Sequence, residues 1–236
     1  VSLNKQTIKL INWISNYTLA PVGLVLKLFI INSKIFDQIK VEKKILLFKP
    51  DFVKLNDEQQ KASSIIKNLL FKSFEPIVLE GVTGSGKTEV YFESVELAFK
   101  KNKQILIMIP EISLTPQLED RFFKRFGFYP DIWHSKITDK KRKNIWHRAY
   151  LGEPIIVIGA RSSLFLPFKK LGLIIVDEEH DISYKQEENV RYQARDIAIV
   201  RAKIDKCNII LSSATPSLET LNNIDKKKFK HVFLKF

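Results

Sequence analysis

Two stretches of this sequence combine residue types and spacings that could handle a nucleoside triphosphate. Gly81-Val82-Thr83-Gly84-Ser85-Gly86-Lys87-Thr88 fits the pattern G-x-x-x-x-G-K-[ST]; an apolar run precedes it and an amphipathic run follows. Glycines let a backbone curl around phosphate oxygens, so that amides and the positive end of the next helix point at them. Gly81, Thr83, Gly84, Ser85 and Gly86 would form that cradle. Lys87 would bring a point charge to the β and γ phosphates, and Thr88 a hydroxyl ligand for Mg²⁺. The second stretch is the apolar run ending at Val176, which leads into Asp177-Glu178-Glu179-His180. Carboxylates at the carboxyl end of a buried strand lie where open α/β sheets bind ligands. Asp177 is the candidate for holding Mg²⁺ and Glu178 for orienting an attacking water, the division of labour that phosphoryl transfer to water requires. Lys87, Asp177 and Glu178 are therefore the candidate catalytic residues.

Such groups need a rigid frame, and the pattern around them supplies one. Apolar runs of strand length occur at Ile77 to Leu79, Gln104 to Ile109, Ile155 to Ile158, Leu173 to Val176 and Asn208 to Leu211. They lack polar alternation, as strands covered on both faces do, and amphipathic segments separate them. The pattern predicts an α/β fold, a parallel sheet with helices on each side. Ahead of the first strand, Asn56 can cap a helix with Gln59 at its third position, followed by Ala62, Ile65, Ile66, Leu69 and Leu70. Residues 1–50 carry a short amphipathic pattern (Ile8, Ile11, Trp13, Ile14, Tyr17), then Leu24, Leu26, Leu28 and Ile30, with Pro21 and Gly23 between the two runs. That is too little for a domain, so 1–50 is expected to be a helical remnant or docking edge with a linker, and 51–236 the nucleotide-binding lobe.

Composition narrows the class. The formal charge of +13 favours polyanionic partners such as nucleic acid. One cysteine, Cys207, excludes an internal disulfide and a multi-cysteine zinc site, so no zinc is expected in this chain. Val22 to Ile31 is interrupted by Lys27 and is too short to cross a bilayer, and nothing resembles a secretory signal. A cytoplasmic protein without a membrane partner follows. The basic stretch Lys136 to Tyr150 is expected to be a solvated helix face, and His134 and His147 lack metal-ligand spacing. Val1 as the first residue, and an end at Phe236 straight after a basic run, suggest a fragment.

Asp177-Glu178-Glu179-His180 and Ser213-Ala214-Thr215-Pro216, with the phosphate loop, resemble motifs II, III and I of superfamily 2 helicases. Four stretches narrow the resemblance to the PriA family of primosomal replication-restart helicases: Gly81 to Tyr91, Pro110 to Gln117, Gly159-Ala160-Arg161-Ser162 followed by Phe165, and Ser183 to Gln186 continuing to Arg191-Tyr192 and Ala194 to Asp196. It covers about residues 55–236, with a weaker match at 8–31 to the end of the family's amino-terminal DNA-binding region.

The resemblance implies a RecA-like P-loop NTPase lobe that couples ATP hydrolysis to 3′ to 5′ movement on DNA. It implies that Gln59 reads adenine, which its amide suits because it can donate and accept. Thr115, Arg161 and Ser162 would touch the backbone of single-stranded DNA. Tyr184, Lys185, Arg191, Tyr192 and Arg195 would form an aromatic-rich loop offering flat faces and charge to a strand of any sequence. Ser213, Ala214 and Thr215 would couple the two activities. Two positions depart from the family: Asn189-Val190 stands where glycine and tryptophan are usual, and Ala160 where threonine is. Implied partners are single-stranded and forked DNA, primosome and single-strand-binding proteins, and a second helicase lobe with an arginine finger, which nothing in the sequence supplies. Two other readings stay open, a nucleotide kinase and a non-catalytic module that holds ATP and DNA without turnover.

Overall fold

A computed structural model describes residues 3–30, 35, 53–72 and 74–235. Seven strands form one sheet in the order β3-β4-β2-β5-β8-β1-β9: Asp131–Trp133 (β3), Ile156–Gly159 (β4), Gln104–Met108 (β2), Leu171–Asp177 (β5), Asn208–Ser213 (β8), Ile77–Gly81 (β1) and Lys230–Leu234 (β9). All neighbouring strands in it run parallel. The five expected strands are its five central members. The two edges were not expected, for a physical reason. Solvent reaches them, so β3 is only three residues long and β9 alternates buried Val232 and Leu234 with the exposed His231 and Phe233.

Side chains along each central strand alternate between two cores, one on each face. Val78, Leu106, Ile174, Val176, Ile209 and Leu211 join one hydrophobic cluster, and Leu79, Ile105, Ile107, Leu173, Ile175 and Ile210 join the other. The second cluster is covered by α3 (Asp57–Leu69), α4 (Lys87–Lys100) and α5 (Pro116–Phe126) through Ile66, Phe92, Phe122 and Phe126. The first is covered by α1 (Lys5–Thr18), α2 (Val22–Phe29), α6 (Asp139–Leu151) and α7 (Ala194–Asp205). The last helix, α8 (Leu218–Asp225), lies beyond β8, and a short antiparallel pair, Lys185–Gln186 (β6) and Tyr192–Gln193 (β7), projects from the carboxyl edge.

The amino-terminal helices share the lobe's own core. Asn4 caps α1 by accepting from the Thr7 amide, and α1 ends at Leu19 in the left-handed conformation. Leu10, Ile11, Ile14, Val25 and Phe29 are buried in the same cluster as the sheet, while Ile8 and Tyr17 of the anticipated stripe are about half exposed, at 47% and 56%. Asn4 Nδ2 donates to Phe168 O at 3.2 Å and Trp146 Nε1 donates to Phe29 O at 2.9 Å. Of residues 1–50, within which a linker is expected, 31–50 lie outside the described residues, Ile35 excepted. The basic stretch forms α6, whose amino-terminal half is largely exposed and whose Ile145, Trp146, His147 and Arg148 are buried.

Candidate nucleotide and nucleic-acid site

The phosphate loop joins β1 to α4. Gly84 and Gly86 sit at φ +83° and +88°, a region costly to residues with a Cβ, and a Cβ on Gly86 would collide with the Gln59 amide at 2.3 Å. The amides that open α4 have no acceptor inside the helix, so they and the helix dipole form a ready anion cradle. Lys87, 7% exposed, donates from Nζ to Gly81 O at 2.7 Å and Val82 O at 3.3 Å, which fixes its ammonium beneath the loop. Gln59 completes a capping box with Asn56 and also donates from Nε2 to Ser85 O at 2.9 Å. The capping role is thus realised, and the same amide braces the phosphate loop.

The carboxylates lie at the end of β5, next to the loop at the same edge of the sheet. Asp177 Oδ2 accepts from the Tyr91 hydroxyl at 2.9 Å and Oδ1 accepts from the Glu178 amide at 3.1 Å, so each oxygen keeps a lone pair for a further partner. Tyr91 is almost wholly buried, and the Thr88 side chain lies beside its hydroxyl. Burial first, and then the Asp177 charge, hold its phenol well above the ordinary tyrosine value, so it stays a donor. One hydroxyl therefore bonds one candidate metal-binding side chain and neighbours the other. Their hard oxygens, a carboxylate and a hydroxyl beside a phosphate cradle, fit Mg²⁺ chemistry. Tyr91 was missed in the sequence, although it stands three residues after Thr88, on the same face of α4.

Glu178 has φ +47°, rare for a non-glycine residue, and the left-handed turn is held by Asp181 N donating to Glu178 O at 2.8 Å. Its carboxyl titrates above the usual glutamate range, chiefly because of burial and then because of the Asp177 charge, with Lys87, His180 and a hydrogen bond from the Ala214 backbone pulling the other way. His180 Nδ1 shares a 2.7 Å hydrogen bond with Ser213 Oγ, which also accepts from the Thr215 amide at 3.0 Å. The Ser213-Ala214-Thr215 segment thus touches both residues that flank Glu179.

Glu179 was assigned no role from sequence and is the best-buried charge of the group, with no side-chain exposure. It accepts from the Ser217 amide at 2.7 Å and from Arg195 Nη1 at 3.1 Å. Arg195 is only 6% exposed and also pairs with Asp196 at 2.8 Å. This corrects the expectation that Arg195 offers charge to DNA: its guanidinium is spent inside, fastening the start of α7 to the carboxylate strand.

The aromatic loop requires two more corrections. Tyr184 is 1% exposed and its hydroxyl donates to Asp177 O at 2.7 Å. Tyr192 is 7% exposed and packs edge-on against Phe165, with ring centroids 5.3 Å apart. Neither ring has a free face for a base, because the tyrosines carry the loop's hydrophobic anchor rather than its surface. Val190, at the position where the family has tryptophan, is buried as well. Lys185 and Arg191 are exposed, with Lys185 paired to Glu187 at 2.7 Å. Arg161 Nη1 donates to the Ser183 and Lys185 carbonyls and so ties the segment after β4 to this loop. Ser162 is exposed and accepts from Trp133 Nε1 at 3.2 Å, and Thr115 caps α5. Arg161, Ser162, Lys185, Arg191 and Thr115 all come from segments that follow β4, β5 or β2, so they share the carboxyl edge with the phosphate loop.

A parallel sheet carrying a phosphate loop, paired carboxylates and a hydrogen-bonded Ser-Ala-Thr segment at one edge is a RecA-like helicase lobe. Solved structures share that fold: RecG bound to a three-way DNA junction (TM-score 0.53, 22% identity, 80% of this chain and 26% of that one) and the Pyrococcus furiosus Hef helicase domain (TM-score 0.52, 17% identity, 74% and 37%). The model of the DEAD/DEAH box helicase family matches residues 57–224, and the chain belongs to that family. Its curated relatives carry the name Replication restart protein PriA. The one from Rickettsia prowazekii is 45% identical over 99% of this chain and 36% of its own length, and the one from Haemophilus influenzae 50% identical over 76% and 24%. The chain therefore spans about a third of the length of the Rickettsia relatives.

Proposed function

We propose that this chain is the ATP-binding motor lobe of a DNA-dependent ATPase and 3′ to 5′ DNA helicase acting in replication restart and primosome assembly. The observation that carries the proposal is the convergence at one sheet edge of the phosphate loop, Lys87, Thr88 and the Asp177-Glu178 pair, with Tyr91 linking the two halves. ATP would lie on the amides that open α4, with Gln59 beside the adenine and Lys87 facing the β and γ phosphates. Mg²⁺ would be held by Thr88 and Asp177 and would neutralise phosphate charge. Glu178, kept in a left-handed turn, would orient a water for attack on the γ phosphate.

Single-stranded or forked DNA would cross the same edge over Thr115, Ser162, Arg161, Lys185 and Arg191, with contacts to phosphates rather than bases. Residues 1–50 are taken as the edge of an amino-terminal DNA-binding region and 51–236 as the motor lobe, in a cytoplasmic protein that works with primosome and single-strand-binding proteins. In such motors a second lobe supplies an arginine finger, a device that changes rates by about 10³ to 10⁵ in phosphoryl transfer. The chain alone is then a nucleotide- and DNA-binding module with weak turnover. The test is steady-state phosphate release, with and without single-stranded DNA, by this chain and by the chain joined to a matching second lobe. A gain of several orders of magnitude with the second lobe, dependent on DNA, is expected. Equal rates for the two proteins, or no response to DNA, would overturn the proposal.

A further inference from the structure

A parallel sheet has two unlike edges. The carboxyl ends of its strands carry the chemistry above, and the loops that lead into the strands collect at the other edge. Those amino-edge loops are strongly basic. Lys72 precedes β1, Lys101 and Lys103 precede β2, and Lys206 precedes β8, all exposed around a cleft of about 530 Å³ floored by Phe71, Phe74 and Cys207. Exposed runs flank it, Lys169–Lys170 before β5 and Lys226–Lys228 before β9. None of these lysines pairs with a carboxylate among the described residues. Of the acids beside these lysines, Glu75 pairs with Lys230 at 3.5 Å and Asp205 with Arg201 at 3.1 Å, while Asp225 at the end of α8 is exposed.

Backbone amides hold parts of this edge. The amides of Lys169 and Lys170 donate to the buried Gln104 Oε1 at 2.9 and 2.8 Å, and the Phe71 amide donates to Asn208 Oδ1 at 2.8 Å. Lys169 and Lys170 thus stand on a held backbone.

We propose that this amino edge is a second, sequence-blind contact surface for duplex nucleic acid, on the side of the lobe opposite the nucleotide site. The five loops belong to strands adjacent in the order β2-β5-β8-β1-β9. Four inter-strand gaps of about 4.8 Å make a row about 19 Å long. A duplex carries about 11 phosphates over that length of axis, one per 1.7 Å or so, whereas a single strand carries about half that number. A single strand is also held by stacking on open aromatic faces. Here the exposed Phe71 ring has the Lys101 ammonium 5.4 Å from its centroid, so that face is not open to a base. Ammonium to phosphate is a contact that ignores sequence.

The experiment measures binding of the 236-residue chain to a labelled duplex of about 20 base pairs, to one of its strands, and to a poly-glutamate peptide, across a salt series. A variant with Lys72, Lys101, Lys103 and Lys206 all changed to Gln is compared with a charge-matched control carrying Lys124→Gln, Lys140→Gln, Lys141→Gln and Lys143→Gln. A second edge variant, with the five lysines at 169–170 and 226–228 changed to Gln, guards against misfolding of the first, and thermal melting checks all three. Each lost phosphate contact lowers the slope of log affinity against log salt by about 0.9, so the duplex slope of the first variant is expected to fall by about 3.6 and that of the control by less than about 1. A fall no larger than the control's in both edge variants overturns the proposal. So does an equal or larger loss on the single strand or the peptide than on the duplex.

Discussion

Removing one oxygen, in Tyr91→Phe, tests the arrangement of the site most sharply. The ring is fully packed on α4 and remains so in the variant; only the 2.9 Å bond to Asp177 Oδ2 and the contact with Thr88 are lost. A hydrogen bond to a charged acceptor contributes about 1.5 to 3 kcal/mol, equivalent to about 10- to 150-fold in a binding constant. Part of that loss will appear as lower stability, about 2 to 4 °C in melting temperature per kcal/mol for a chain of this size. The rest should fall on the metal, because the carboxylate is no longer aimed and Thr88 loses its neighbour. Titrating Mg²⁺ against a fluorescent ATP analogue at fixed concentration should show the metal midpoint rising by about tenfold. Affinity measured without metal should stay unchanged, since Lys87 and the loop amides are untouched. Tyr184→Phe is the matching control: its hydroxyl donates to the Asp177 carbonyl rather than to the carboxylate, so it should destabilise the fold while moving the metal midpoint far less. A folded Tyr91→Phe protein whose metal midpoint moves by less than about twofold would refute the reasoning.

Lys87→Ala should weaken nucleotide binding by about 10- to 150-fold, because a charge-assisted contact is lost, and a fluorescence titration with the same analogue measures it. Arg195→Met leaves Glu179 buried without its cation, which costs about 3 to 5 kcal/mol and lowers the melting temperature by about 10 °C, whereas an arginine that merely faced DNA would leave melting unmoved. Arg191→Gln should lower the salt slope for single-stranded DNA by about 0.7 while leaving melting unchanged, read by anisotropy over a salt series. Burial lifts the Cys207 thiol far above its ordinary value, so the thiol stays protonated and should resist a thiol-specific reagent at mildly alkaline pH until the chain is unfolded.

The frame of the site is legible along the chain. Uninterrupted apolar runs at Ile77, Gln104, Ile155, Leu173 and Asn208 belong to strands covered on both faces, and that pattern is local enough to read one residue after another. The phosphate loop was legible for the same reason, since glycine spacing and a following lysine are constraints within eight consecutive positions. The edges β3 and β9 were hidden because solvent on one side removes the apolar signal that marks a central strand. Which polar and aromatic groups face inward is set by packing between distant segments. Tyr184, Tyr192 and Arg195 sit in a stretch that reads as an exposed, charged, aromatic loop. Yet the two rings fill the space beside Asp177 and Phe165, and the guanidinium neutralises Glu179. Tyr91 and Asp177 are 86 positions apart in the chain and 2.9 Å apart in space, because β1 and β5 flank β8 in one sheet and bring the start of α4 against the end of β5. A side chain's type limits the bonds it can make, but burial and neighbours from distant segments select among them, and no spacing along the chain records that choice.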